Sequence, residues 1–277
     1  MKAAASVILY HPDRSVISNI QSYSRLVDVV FAVDNSETVN QEWVSALSAT
    51  GNVIYMSNGE NLGIAAALNR AAESAMQSGY SWLLTMDQDS SFEAEEFELY
   101  KKQTFQLIQT EKNAGLFCPA EEKTSSGDAI TEPAFRITSG TWINLEAWRQ
   151  IGGFDEKLFI DEVDEDFSCK LHLAGYRLIG FNNVVMKHKL GTKKKAGLLH
   201  LFFVRERTLH SPFRIYFMVR NYLIVRKRYA AFFPESYKKR DRDFLVALKN
   251  NILFSGNFFQ AFPRAMKGFI DYLFNRY

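Results

Sequence analysis

Trp82-Leu83-Leu84-Thr85-Met86-Asp87-Gln88-Asp89-Ser90 is a short apolar run that ends abruptly in two carboxylates one residue apart. The run is too short for a helix and reads as a buried strand. Asp87 and Asp89 then stand at its carboxyl end, where open α/β sheets bind ligands. Two hard oxygen ligands there suit Mg²⁺ or Mn²⁺, ions that also hold substrate phosphates. Asp and Ser equally favour turns and helix caps, so the triplet alone does not separate a metal site from a turn.

The residues before it repeat the pattern. Residues 4–9, 29–33 and 52–56 read as three further strands. They end at Tyr10-His11-Pro12-Asp13, at Asp34-Asn35-Ser36 and at Asn58-Gly59-Glu60-Asn61-Leu62-Gly63. Helices are expected near 15–25, 64–78 and 92–111. Short strands alternating with helices imply an α/β fold with a mostly parallel central sheet. In such a sheet these loops share one edge, which gathers Asp34, Asn61, Gly63, Asp87 and Asp89. An Asp after the second strand can accept from a base or a ribose hydroxyl. Gly63 allows phosphate to approach the helix that follows. Neither G-x-G-x-x-G nor G-x-x-x-x-G-K-[ST] occurs, so Rossmann and P-loop readings have no support.

Further on, strands are expected at 115–118, 134–138, 176–181 and 184–187, and helices at 145–151 and 162–174. Helices are then expected at 198–207, 212–232, 237–253 and 258–276. The second acidic cluster, Phe159-Ile160-Asp161-Glu162-Val163-Asp164-Glu165-Asp166-Phe167, sets five carboxylates in six residues. A helix N-terminus favours acids. The interleaved apolar residues bury part of the segment, so some of the acids are expected to face a site. An ionised Asp there can act as a general base.

The net charge of +2 hides a division. Residues 1–192 carry 15 Lys and Arg against 26 Asp and Glu, a net of −11. Residues 193–277 carry 18 against 5, a net of +13, together with 19 of the 39 aromatic residues. A basic, aromatic tail on an acidic body implies an anionic partner. Cys118 and Cys169 lack metal-ligand spacing and fit a reducing compartment. No leader opens the sequence, and no apolar run has the length of a membrane-spanning helix.

The ordered motifs resemble a family. Val-Ile-Leu-Tyr, Val-Asp-Asn-Ser, Asn-Leu-Gly-Ile-Ala-x-Ala-x-Asn, Asp-x-Asp, Ser-Gly-Thr, Gly-Gly-Phe-Asp, Phe-Ile-Asp-x-Val-Asp, Ala-Gly-Tyr and a later His are similar to the family 2 inverting glycosyltransferases of the GT-A fold. Ile160-Asp161-Glu162-Val163-Asp164, Ser211-Pro212-Phe213-Arg214-Ile215-Tyr216 and Arg220-Asn221 most resemble the rhamnosyltransferases of O-antigen and capsule assembly.

The resemblance implies a catalytic domain over 1–192, with a nucleotide-binding half (1–110) and an acceptor half (111–192), followed by a helical C-terminal region over 193–277. It implies that Asp34 holds the base or ribose, with Tyr10, Asn61, Gly63, Asn69, Gln88 and Lys193 also lining the nucleotide-sugar site. Asp87 meets the ribose or diphosphate and shares the metal with Asp89. His188 is a metal or diphosphate ligand. Asp164 matches the family's catalytic base, but Val163 stands before it where the family has Glu, so Asp161 and Asp166 stay as rivals. The implied donor is a nucleotide-diphosphate sugar, with dTDP-rhamnose as the leading choice, and the acceptor a glycan or a polyprenyl-linked saccharide. The tail is expected to hold the protein peripherally on the inner face of the cytoplasmic membrane, against anionic lipid. No nucleic-acid motif is present, and self-association is compatible with the sequence. A nucleotidyltransferase and a non-catalytic sugar- or lipid-binding module are the other classes considered. The first should carry a Gly-rich loop after strand one, where this chain has Tyr10-His11-Pro12-Asp13-Arg14.

Overall fold

Continuous burial turns the apolar runs into strands, because helices cover both faces of the sheet they enter. β1 (Ala4–Leu9) and β2 (Val29–Asp34) are buried along their whole length. The computed structural model describes residues 2–120, 130–188, 193–198 and 202–276, with backbone alone for 193–198 and 202–206. The chain forms two units, Met1–Glu156 with Asp164–Lys189, and Lys157–Val163 with Leu190–Tyr277.

In the first unit, α1 (Ser15–Ser24) follows β1, α2 (Gln41–Ser48) follows β2, and β3 (Val53–Ser57) leads to α3 (Ile64–Gln77). β4 (Trp82–Asp87), β5 (Ser90–Ser91), α4 (Ala94–Thr110), β6 (Ala114–Ala120), β7 (Ile130–Thr131), β8 (Thr141–Asn144) and α5 (Leu145–Gln150) come next. After a short 3₁₀ turn at Glu156–Leu158 come α6 (Val163–Leu173), β9 (Arg177–Val185) and β10 (Lys187–His188). The main sheet runs β3-β2-β1-β4-β8-β6-β9-β7. One half, β3-β2-β1-β4, is parallel throughout, and β8 is antiparallel to both β4 and β6. The sheet is therefore mostly parallel on the side that carries the first four strands, and the carboxyl ends of those strands lie on one edge.

Alternate residues of the strands face one core. Ala5, Val7 and Leu9 of β1, Val30 and Ala32 of β2, and Leu84 and Met86 of β4 meet Val16, Ile20 and Tyr23 of α1 and Phe97 and Tyr100 of α4. Each such large side chain contributes roughly 1.5–3 kcal/mol when fully buried. Against β1, β2 and β4, α3 packs a row of small residues, Ala65, Ala67, Ala71, Ala72 and Ala75, which brings that helix and its N-terminus close to the sheet.

In the second unit, β11 (Lys193–Leu198) pairs antiparallel with β12 (Phe202–Thr208), and three helices follow: α7 (Pro212–Tyr229), α8 (Pro234–Phe254) and α9 (Phe258–Leu273). Ser211 caps α7 by accepting from Arg214 N–H at 3.3 Å, and Pro212 occupies its first turn, where a missing N–H costs nothing. Gly268 lets α9 lie against α7: a Cβ there would meet the Tyr216 carbonyl at 2.5 Å.

Three sequence expectations are corrected. A helix was expected over 198–207, but Phe202–Thr208 forms β12, because pairing with β11 supplies hydrogen bonds that local composition does not reveal. Residues 134–138 are irregular rather than a strand; this stretch supplies a loop to the site described below. The helix α2 was not anticipated, although Asn40 marks its start by accepting from Glu42 N–H at 2.9 Å.

Candidate active site

Asp87 closes β4, and Asp89 lies two residues on, just before β5. β5 pairs antiparallel with β10, with His188 opposite Ser90, so a strand pair of only two residues brings a histidine 98 residues distant to the two acids. Ligand atoms of Asp87, Asp89 and His188 lie within 4.8 Å of one another. Ser90 Oγ is 2.6 Å from His188 Nδ1 and accepts from Ser139 Oγ at 2.8 Å, while Ser139 Oγ accepts from Asp87 N–H at 3.0 Å. This chain of hydroxyls fixes the imidazole relative to the carboxylates, as second-shell groups do around metals. Asp89 Oδ1 is buried without a hydrogen-bond partner. That oxygen lies 3.8 Å from His188 Nδ1, too far for a hydrogen bond, and an arrangement of two carboxylates and an imidazole around it fits a divalent cation.

The turn before β8 joins the two acidic clusters. Thr85 Oγ1 donates toward the carbonyls of Thr138 at 2.5 Å and Thr141 at 3.0 Å, and Gly140 N–H donates to Thr85 O at 2.7 Å. On that turn Ser139 holds Asp87, and the Thr138 backbone and hydroxyl bond the carboxyl of Asp164 in the first turn of α6. Burial, then the negative charges of Glu165 and Asp87, push the Asp164 carboxyl up to about 8, and the Thr138 hydrogen bonds only partly oppose them. The Asp87 contribution places Asp164 within electrostatic reach of the candidate metal ligands. Thr138 and Ser139 were not picked out individually as site residues; Ser139 figured only within the Ser-Gly-Thr motif.

The rival acids have other partners. Asp166 is buried and pairs with Lys170 at 2.7 Å. Asp161 lies in the second unit, gripped by the Arg214 guanidinium at 2.7–3.2 Å. Both carboxylates thus have a basic partner, whereas the hydrogen bonds to the Asp164 carboxyl come from Thr138.

The expected nucleotide residues fall into three groups. At the ends of β1 and β4, Gln88 forms an amide clasp, its Oε1 accepting from Tyr10 N–H at 2.8 Å and its Nε2 donating to Tyr10 O at 3.1 Å. The Tyr10 side chain remains 43% exposed, leaving part of the ring available to a base or sugar. At the end of β2, Asp34 is buried and accepts from Ser36 N–H at 2.8 Å and Tyr55 Oη at 2.6 Å. Burial, then the Asp34 hydrogen bond, raises the Tyr55 hydroxyl, which stays protonated and aimed at Asp34. Between β3 and α3, Asn61 accepts from Gly63 N–H at 3.0 Å, and Gly63 takes φ 85°, a left-handed conformation that suits glycine.

Asn69, expected in the donor site, has its amide hydrogen-bonded within the fold, and we propose a structural role for it. Its Oδ1 accepts from Trp148 Nε1 at 3.1 Å and Phe154 N–H at 2.9 Å, and its Nδ2 donates to Phe154 O at 2.9 Å and Glu156 Oε1 at 2.8 Å. The amide is saturated by Trp148, Phe154 and Glu156. Asn69→Ala is expected to lower stability by about 3 kcal/mol, since it strands several buried polar groups, while nucleotide affinity measured by calorimetry stays within about twofold. A large loss of affinity in a still-folded variant would return Asn69 to the donor site. The Lys193 side chain lies outside the described residues.

A profile of the family described as "Glycosyl transferase family 2" matches residues 14–102. Residues 14–102 are thus similar to a family 2 glycosyltransferase domain. It is 25% identical over 248 residues to the dTDP-rhamnosyl transferase RfbF of Shigella flexneri, covering 81% of this chain and 80% of that protein. In fold it is similar to S. aureus TarS 1–349 in complex with UDP-GlcNAc, with TM-score 0.56 at 15% identity over 79% of this chain and 65% of that one. GalNAc-T7, solved with UDP, GalNAc and Mn²⁺, gives TM-score 0.55 at 11% identity over 68% of this chain and 44% of that one. The chain thus spans 65% or less of these two solved chains. The α/β domain has the GT-A fold.

Proposed function

We propose that this protein transfers a sugar, with inversion, from a nucleoside-diphosphate donor to a saccharide or lipid-linked acceptor in cell-surface polysaccharide synthesis. The observation that carries the reading is one turn, Thr138–Gly140, that ties the Asp87–Asp89–His188 group to Asp164. L-Rhamnose from dTDP-rhamnose is the favoured donor, because the relative at 25% identity is a dTDP-rhamnosyl transferase.

In this mechanism the acceptor hydroxyl gives its proton to the Asp164 carboxylate. The acceptor oxygen forms a bond to the anomeric carbon as the bond from that carbon to the diphosphate oxygen breaks, and the diphosphate leaves from the opposite face. Asp87, Asp89 and His188 would hold Mg²⁺ or Mn²⁺, which would supply charge neutralisation to the leaving diphosphate and offset the Asp87 charge, which adds to burial and Glu165 in raising the Asp164 carboxyl. Tyr10 and Asp34 orient base and ribose, and the Gly63 turn leaves room for phosphate at the start of α3. The test is sugar transfer from a panel of dTDP- and UDP-sugars, dTDP-rhamnose among them, to glycan and polyprenyl-linked acceptors with Mg²⁺ or Mn²⁺, the product's anomeric configuration being read by NMR. No turnover of any donor, or a retained configuration, would overturn it.

The second unit is proposed to rest on an anionic membrane. Among the described residues no helix is long and apolar enough to cross one. α9 turns its small residues inward, with Ala261, Ala265 and Gly268 buried, and exposes Phe258, Phe259, Phe262, Met266, Phe269 and Ile270. Phe259 is 90% exposed. A helix with its large side chains outward, in a region of net charge +13, suits the interface of an acidic bilayer. The full chain is expected to co-sediment with phosphatidylglycerol vesicles at low salt and less so at high salt, with a salt-resistant remainder that a Phe258→Ser, Phe259→Ser, Phe262→Ser variant loses. Equal sedimentation of variant and wild type would reassign the face, with a second copy of the chain as the alternative occupant, checked by the mass in solution.

A further inference from the structure

The loop Lys157–Val163, which ends one residue before Asp164, belongs to the helical unit. It is strained. Phe159, Asp161 and Glu162 have φ of 64°, 63° and 65°, left-handed values that side chains with a Cβ rarely adopt. Such conformations persist only where surrounding structure over-determines them, and they concentrate where backbone position matters.

The helices of the unit supply that determination at every residue from 157 to 162. Arg220 donates to Lys157 O at 2.6 Å. Asn221, fully buried, donates from one amide nitrogen to the carbonyls of Leu158 at 2.5 Å, Ile160 at 2.7 Å and Asp161 at 3.2 Å. Its own oxygen accepts from Arg220 Nε at 2.8 Å, which fixes the amide's orientation. The Phe159 ring stacks on Phe217 with centroids 4.9 Å apart. Arg214 grips Asp161 with two nitrogens, and Arg240 of α8 holds both oxygens of Glu162 at 2.6–2.7 Å. The Ile160–Val163 stretch and the Ser211–Tyr216 and Arg220-Asn221 stretches are thus two halves of one clamp.

We propose that Arg214, Asn221 and Arg240 are positioning residues for proton transfer: they hold the backbone that delivers Asp164, and the acids Asp161 and Glu162 are the handles by which they hold it. The proposal rests on Asp164 being the base of the transfer reaction. A base works only within about 3 Å of the proton it takes, and displacement by about 1 Å costs on the order of 100-fold in rate. One left-handed residue relaxing to the right-handed region redirects the chain where it enters α6. The clamp therefore fixes the backbone that leads into Asp164, whereas Asp87 and Asp89 are held by contacts within the first unit.

The test uses the full chain and partly exposed residues, so that folding is not at stake as it is for Asn221. Arg214→Gln with Arg240→Gln is expected to lower kcat about 30- to 100-fold. Affinity for a nucleoside diphosphate with Mn²⁺, read by calorimetry, stays within about twofold, and amides 158–163 lose hydrogen-exchange protection. Asp161→Asn, tolerated at a left-handed position, should reproduce the Arg214→Gln effect, and combining the two should add little. Arg214→Lys should recover part of the rate. A double variant with kcat within about threefold of wild type, or one that loses nucleotide affinity in step with kcat, overturns the proposal. Should the wild-type chain turn over no donor, the transfer reading itself fails. Unchanged exchange of amides 158–163 in the double variant would then overturn the clamp on its own.

Discussion

Asp89→Ala is expected to abolish metal-dependent binding of a nucleoside diphosphate and leave the fold intact. Its Oδ1 is buried and has no hydrogen-bond partner, so the metal-free protein gains little from the carboxylate. The carboxylate is half-exposed and its Oδ1 lies 3.8 Å from His188 Nδ1, so in the metal-free protein it makes one long ion pair, whereas a divalent cation would draw it together with Asp87 and His188. Loss of groups that merely orient a metal ligand costs about 10- to 100-fold in affinity, so loss of a ligand should cost at least about 100-fold. Calorimetry with a nucleoside diphosphate, with and without Mn²⁺, separates the two contributions. In the variant the metal-dependent increment should vanish while the metal-free thermal midpoint stays within a degree or two. Unchanged metal-dependent affinity would remove Asp89 from the site.

The parts of the site legible in the sequence are those set by local order. A short apolar run ending in Asp87 and Asp89 declares a buried strand with ligands at its carboxyl end, and the structure has that strand as β4. The repeated strand-then-loop pattern placed Asp34, Asn61 and Gly63 on the same edge. What could not be read was set by long-range pairing. Asp161 and Asp164 are three residues apart and chemically identical, yet one meets Arg214 across 53 residues and the other meets Thr138 and the field of Asp87. Asn69 was expected at the donor site only through its place in the motif Asn-Leu-Gly-Ile-Ala-x-Ala-x-Asn. Its partners, Trp148 and Phe154, lie 79 and 85 residues away. β12 was misread for the same reason, since a strand in a hairpin is defined by its neighbour as much as by itself.

The same distinction carries the second large effect, at Asp164. Asp164→Asn should lower kcat by about 10³-fold with little change in donor affinity, because a general base acts only as the acceptor proton moves. The substitution should also stabilise the protein, in a pH window fixed by the raised carboxyl. The Asp164 carboxyl is held up to about 8 in the folded chain against an ordinary value of 3.8. Between these values the folded state binds more protons than the unfolded one, so wild-type stability falls as pH rises through the window. Asn carries no such charge. In chelator, wild type and variant should therefore unfold alike near pH 4 and diverge as pH rises. The variant gains about 1–3 kcal/mol by pH 9, a margin reduced by the residue's partial exposure to solvent. Removing a neighbouring charge with Glu165→Gln should move the acid limb of kcat/KM to lower pH, since Glu165 is one of the charges raising Asp164. Equal thermal midpoints at every pH would refute the environment assigned to Asp164. An active Asp164→Asn beside a dead Asp161→Asn would transfer the base to Asp161 and make its Arg214 partner part of the proton-transfer step.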